Sequence, residues 1–438
     1  MNSAADDREM RNLARQIFSQ ALTASSVEKA FDHYVECDHG VLRIGHDLYH
    51  LNSYSRVFVT AIGKAANSLA EALQRRTGDR LEGIVASSVE PASQLRGFRY
   101  FRGGHPMPNA ESVRGAEAML KALNGLDESG LAIFLISGGG SATVEKPIDS
   151  DISLEDLIAT YRILVHGGPP IGEINAIRKH LSAVKGGRLA RAAHPAKQVS
   201  ILVSDVPDNT PDALASGPTM PDSTTTDDCY AIADKYGLVK QFPPSIAEFF
   251  EKRALEETPK NHDEIFANAR WQTVLSNKSV LESAKAAAAE AGFEVEIDNS
   301  CDDWDYELAA DLLLARLRAL RQRTPRACLL SGGEVTVTVK DGGIGGRNQQ
   351  FALACATKID GERITVLSAG TDGIDGNSPA TGAVVDGTTR GRSSRAGLNV
   401  EGHLAGFNAF PLLEQIGDAV MTGPTGNNLR DLRVLLAY

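Results

Sequence analysis

Three stretches of this chain share one grammar, and it constrains the fold more than any other feature. "RVFVTAIGK" (56–64), "LAIFLISGGGSA" (131–142) and "QVSILVSDVPDN" (198–209) each run through apolar residues into glycines or small polar residues. The first is followed by the helical pattern "AANSLAEALQRR". Strands alternating with helices predict a parallel sheet with helices on both faces. Ahead of it, Met10, Leu13, Ile17 and Leu22 recur at helical spacing, which predicts entry helices over residues 1–50.

At 438 residues the chain exceeds what one core usually supports, so two domains are expected. The charged stretch 240–265, with prolines at 243, 244 and 259, interrupts the grammar. A Rossmann-like α/β domain is therefore expected over 1–250 and a second α/β domain over 265–438, the entry helices packing on either. The second half resumes with "WQTVLSN", "FEVEID", the helix "DYELAADLLLARLRALRQR", "RACLLSGGEVTVTV" and "RITVLSAGTDGIDG". Within it, "GGEVTVTVK" alternates with period two, predicting an antiparallel or edge strand and so a mixed second sheet. The expected fold class is two three-layer α/β domains, the first sheet largely parallel and the second mixed.

Charge and cysteine content narrow the function classes. A net charge of −11 argues against nucleic-acid and membrane-surface binding, so an anionic ligand must be held by local donors. Five scattered cysteines (Cys37, Cys229, Cys301, Cys328, Cys355) lack C-x-x-C spacing and suit a reducing compartment. No leader pattern and no run of about 18 apolar residues occurs. A cytoplasmic protein is expected, with a homodimer left open.

In open α/β sheets, ligands bind beyond the carboxyl ends of the strands, where loops and helix N-termini present unpaired N–H groups. The residues following each predicted strand are therefore the candidates. Ser137, Gly138, Gly139, Gly140 and Ser141 form a loop whose backbone can close around phosphate without Cβ obstruction. It fits a dinucleotide fingerprint poorly, since Thr143 stands at the last glycine position and Pro147 interrupts a following helix. Lys64 ends the first strand; a Walker loop there would need Gly at 58 and Ser or Thr at 65, where Phe58 and Ala65 stand.

Further along, "GEINAIRKHLSAVKGGRLARAA" sets Ile174, Ile177, Leu181 and Val184 on an apolar stripe, with Asn175, Arg178 and Lys185 available to a carboxylate or phosphate. Asp205, Glu334, Asp372 and Asp375 offer carboxylates for magnesium or for a proton. Arg347 follows "GGIGG" at a helix entry, positioned to reach a transferring phosphoryl group, with Asn348 beside it as a cap.

Taken together, "AIGKAA", "SGGGSA", "EINAIRKHLSAVKGGRLA", "SDVPDN", "ASGPTMPDSTT", "GGRNQQFALA", "SAGTDGIDGNSPATGAVVD" and "TGPTGNNLRDL" resemble the glycerate 2-kinase family, some of whose members carry the label hydroxypyruvate reductase. The resemblance spans about residues 8 to 435. It implies ATP-dependent phosphorylation of D-glycerate at the C2 hydroxyl, in a cleft between two α/β domains, with Lys64 and Arg347 as catalytic basic residues. On that reading Asp205 is the third catalytic residue and orients or deprotonates the hydroxyl, a role for which Asp372 is the alternative. Residues 137–141 take nucleotide phosphates; Arg178, Lys185 and Asn175 take the substrate carboxylate; Glu334, Asp372 and Asp375 organise Mg²⁺. An NAD(P)H-dependent hydroxypyruvate reductase and a non-catalytic sugar-phosphate sensor are the alternatives.

Overall fold

The computed structural model describes residues 3–339 and 342–438, and the chain divides into two compact units. One is Val27–Val274; the other joins the N-terminal residues up to Ser26 to Leu275–Tyr438.

The Val27–Val274 unit begins with the helix Val27–Tyr34 and a meander of β1 (Val35–Asp38), β2 (Val41–Ile44) and β3 (Asp47–His50). Helices expected throughout residues 1–50 thus give way to antiparallel strands. The cause is local: His39 and Gly40 both take positive φ, 48° and 82°, forming a two-residue turn that matches the twist of paired strands.

The main sheet follows with β4 (Val57–Ile62), β5 (Glu82–Ser87), β6 (Phe98–Arg102), β7 (Leu131–Ser137), β8 (Lys197–Val203) and β9 (Ala269–Leu275), in the order β6-β5-β4-β7-β8-β9. Pairs from β6 through β8 are parallel, as the alternating grammar predicts. All seven residues of β7 are buried, which is why it reads as an unbroken apolar run. Phe58, Ile62, Phe134, Ile136 and Leu202 pack beneath the helices, forming one core. A second, helical cluster gathers Leu157, Leu164, Ile177, Leu181 and Phe250. "WQTVLSN", read from sequence as the start of the second half, instead supplies the edge strand β9.

The other unit carries β10 (Glu294–Ile297), β11 (Ala327–Ser331), β12 (Ile364–Gly370), β13 (Gly382–Asp386), β14 (Ala419–Val420) and β15 (Asp431–Ala437). Their order is β10-β11-β15-β12-β13-β14, with only β10 and β11 parallel, so this sheet is mixed. The final strand lies in mid-sheet and is buried throughout. The helix Ser3–Ala24 packs on β12 and on the helix Asn277–Glu290, tied by Arg11 to Asp386 and by Tyr438 Oη donating to Asp7 Oδ1 at 2.9 Å.

"GGEVTVTVK" does not form the expected strand. Its described part touches the 303–306 segment instead: Asp303 N donates to Glu334 O, Thr336 N to Trp304 O and Tyr306 N to Thr336 O, leaving one isolated bridge at Thr336. Lys340, at its end, lies outside the described residues.

Candidate active site

In the Val27–Val274 unit, the strand ends bring the glycine loop into a polar cluster. Ser137 Oγ accepts from Ala65 N at 3.0 Å and donates to Ile62 O at 3.2 Å, while Lys64 N donates to Gly138 O at 2.9 Å. These bonds tie the ends of β4 and β7 together, so buried Ser137 braces the loop. Gly139 sits at φ 81°, and a Cβ on it would lie 3.1 Å from Lys64 Cγ and 3.1 Å from His105 Cδ2. A Cβ on Gly138 would fall 1.9 Å from Asp205 Oδ2. Lys64, Asp205 and His105 thus approach one loop, which only glycine lets them do. Gly140–Thr143 then forms a single short helical turn ending at Val144, with no long helix of the kind a dinucleotide fold places after its glycines.

Ser141 Oγ lies 2.8 Å from Ser216 Oγ. Ser216 belongs to a left-handed run, Ala215, Ser216 and Gly217 at φ 51°, 60° and 61°. Sequence reading passed over both Ser216 and His105. The signals were present: "GGH" follows β6, and "ASGP" is a turn sequence. Burial, and then the charge of Lys64, hold the His105 pKa below the ordinary histidine value.

The helix bearing Asn175 and Arg178 spans Ile171–His180, so Lys185 does not share its face. Tertiary packing nonetheless brings both cations toward Glu145. That fully buried carboxylate pairs with the equally buried Lys185, accepts from Ser182 Oγ, and accepts from Tyr161 Oη at 2.6 Å. Arg178 stacks over the Tyr161 ring, 4.8 Å from its centroid. Burial lowers the pKa of Lys185, with Glu145 opposing. Its ammonium is paired inside the fold, where the charge already has a buried partner.

In the other unit, Arg347 opens the helix Arg347–Lys358. Nε donates to Asp431 Oδ2 at 2.7 Å and Nη2 to Asp431 Oδ1 at 2.9 Å; Nη2 also lies 2.9 Å from Glu334 Oε1. Burial works against the charge, but Asp431, Glu334 and Asp375 raise the Arg347 pKa and keep it protonated. Asp431 was not read as a site residue, since in sequence it is merely the residue before an apolar run.

Asp375 meets the amides that open the same helix. Oδ1 accepts from Asn348 N at 3.1 Å, and Oδ2 from Gln349 N and Nε2, both at 2.9 Å. It caps the Arg347 helix from another segment, a role expected of Asn348. Burial pushes its carboxyl up to about 6; the N–H donors oppose this and the charge of Asp431 adds to it.

Glu334, Arg347 and Asp372 line a cavity of about 790 Å³ together with Asp303, Ile374 and Phe407. Among the described residues no three His, Cys, Asp or Glu side chains converge to hold a metal ion, so Glu334, Asp372 and Asp375 are not a preformed triad. Gly332 N, Gly333 N and Glu334 N donate to Asn299, Asn277 and Asp302, so the second glycine turn is satisfied internally. No described helix is long and apolar enough to cross a membrane, and all five cysteines are free.

Two family models match: a domain of unknown function, DUF4147, over residues 13–251, and the MOFRL family over residues 327–431. The chain is 35% identical over 384 residues to a protein named D-glycerate 2-kinase from Thermotoga maritima, covering 86% of this chain and 89% of that protein. A relative from Agrobacterium vitis, 36% identical over 390 residues and covering 87% of each chain, carries hydroxypyruvate reductase in its name. A solved structure described as glycerate kinase from Thermotoga maritima superposes with a TM-score of 0.85 at 32% identity, covering 98% of this chain and 100% of that one.

Proposed function

Because the chain belongs to the family defined by the DUF4147 domain and the MOFRL model, whose relatives include D-glycerate 2-kinase, we propose that it is an ATP-dependent kinase acting on the C2 hydroxyl of D-glycerate. The observation that carries the reading is Arg347, held charged by Asp431 and Glu334 on the wall of a cavity sized for a small ligand.

The C2 oxygen attacks the γ-phosphorus of ATP, the bond to the β,γ-bridging oxygen breaks, and the hydroxyl proton passes to a base, giving 2-phosphoglycerate and ADP. Positioning and charge neutralisation supply most of such a rate enhancement. Lys64 and Arg347 supply positive charge to the moving group. Gly138, Gly139, Gly140 and Ser141 offer backbone N–H groups to phosphate oxygens, and Asp205, against Gly138, orients or deprotonates the hydroxyl. Arg178 and Asn175 remain the candidates for the substrate carboxylate.

Glu334 and Asp372 fit Mg²⁺, which favours one or two carboxylates with substrate phosphates completing its shell. When bound, Mg²⁺ neutralises charge on the nucleotide phosphates. Asp375 leaves this set because its oxygens cap a helix.

The test is ³¹P NMR of D-glycerate, ATP and Mg²⁺ with the purified protein. ADP and a phosphomonoester on C2 are expected. A resonance from the C3 ester would correct the regiochemistry; no ADP with any three- or four-carbon hydroxy acid would end the kinase reading, and NADH oxidation with hydroxypyruvate would replace it.

A further inference from the structure

Among the described residues, Val339, Ile344 and Ile374 are 64%, 44% and 50% exposed, and all three line the same 790 Å³ cavity as Arg347. Phe407 closes the wall beside them. Large aliphatic side chains left open to water forgo the stabilisation of burial, which grows with the apolar area covered. Several such groups gathered in one concave site mark a ligand that covers them.

The wall is built rather than loose. Gly343 packs so tightly on the Gly406–Phe407 backbone that a Cβ there would meet Phe407 O at 2.3 Å. Gly373 is pressed against Gly423 O, where a Cβ would lie 2.0 Å away, and Ile374 N donates to Asp372 Oδ1 at 3.2 Å. The apolar groups are therefore held beside carboxylates and an arginine.

We propose that this wall binds the nucleobase of the phosphoryl donor. The inference rests on the kinase reading, and elimination within that reading carries it: a three-carbon hydroxy acid and a polyphosphate have no apolar face, whereas a purine has two. Asp303, lining the same cavity, accepts from a ribose hydroxyl, as carboxylates do in other nucleotide sites.

Ile344→Asp and Ile374→Asp change exposed side chains and leave the fold intact, which thermal unfolding checks. Calorimetric titration with ADP and Mg²⁺ is expected to give a Kd at least tenfold weaker in each variant, while tripolyphosphate binds within twofold of wild type. In the wild-type protein, ADP but not tripolyphosphate slows hydrogen exchange over residues 342–346. Unchanged ADP affinity, equal weakening of both ligands, or ADP protection confined to other segments overturns the site. A variant that alters the mass in solution while binding ADP normally assigns the wall to contact between copies instead. Product NMR on the same samples separates the two readings: phosphoglycerate with unaltered variant affinities removes the base site alone, whereas ADP bound at this wall without phosphoryl transfer removes the kinase.

Discussion

Asp431, wholly buried at the start of a central strand, grips Arg347 through two parallel hydrogen bonds of 2.7 and 2.9 Å, 84 residues away in sequence. Such a fork fixes the plane of a guanidinium as well as its place. Asp431→Asn keeps the volume and removes the charge. Unfolding free energy is expected to fall by about 3 kcal/mol, the order seen when a buried pair is broken, and kcat by roughly a hundredfold as Arg347 loses its position. Denaturant melts with steady-state kinetics check both; an unaltered kcat would detach Asp431 from the chemistry.

Arg347 itself is open to a sharper comparison. Arg347→Ala should lower kcat by roughly a hundredfold or more, and Arg347→Lys should not restore it, because an ammonium cannot span both Asp431 oxygens and Glu334 in one plane. Rescue by lysine would mean that charge alone matters.

Gly139 and Gly78 make a matched pair in one unit. Both take positive φ, 81° and 71°, but a Cβ at 78 meets nothing within 4 Å, while one at 139 crowds Lys64 and His105. Alanine should cost about 1 kcal/mol of stability at 139, left-handed with ψ −6°, and about 1–3 kcal/mol at 78, where ψ −173° leaves a backbone region essentially restricted to glycine. Only Gly139→Ala should depress turnover, and equal kinetic effects would argue that the loop has no special place.

Lys185 and Glu145 test structure against binding. Lys185→Met leaves a buried carboxylate unpaired and should destabilise by about 3–5 kcal/mol, with Lys185→Met/Glu145→Gln recovering much of the loss. A glycerate KM that rises in a Lys185→Met protein of normal stability would return Lys185 to the substrate site.

Asp375 gives a pH signature. Its folded pKa is about 6 against an ordinary 3.8, so between those values the native state holds more of the proton than the unfolded chain does. This contribution is complete below about pH 4 and is lost as pH rises through 6, a change of roughly 3 kcal/mol. Urea unfolding across that window should show a pH dependence that flattens in Asp375→Asn. An identical slope in the variant would show that the carboxyl does not titrate there.

Much of the candidate site can be proposed from sequence because its strand ends and glycine turns are written in short range. The run "FLISGGGS" announces a buried strand and a glycine turn from eight residues, and Lys64 and Asp205 follow strands of the same kind. Where the reading failed, the deciding partner lay far off in sequence. Period-two alternation in "GGEVTVTVK" suits a strand, yet its backbone bonds to residues 303–306. His105 was hidden because β6, "FRYFR", is too polar to stand out as a strand.

What the sequence determined by itself was therefore the alternation of strand and helix, the glycine positions and the family resemblance, all carried by residues within a turn or a strand of one another. The tertiary structure decided which charges remain available. Lys185 and Asp375 looked in sequence like Arg347 and Asp372, but Glu145 took the first and helix amides took the second. The reason is the low polarity of the interior: a buried charge must find a partner there, and only the folded chain settles which partner is near.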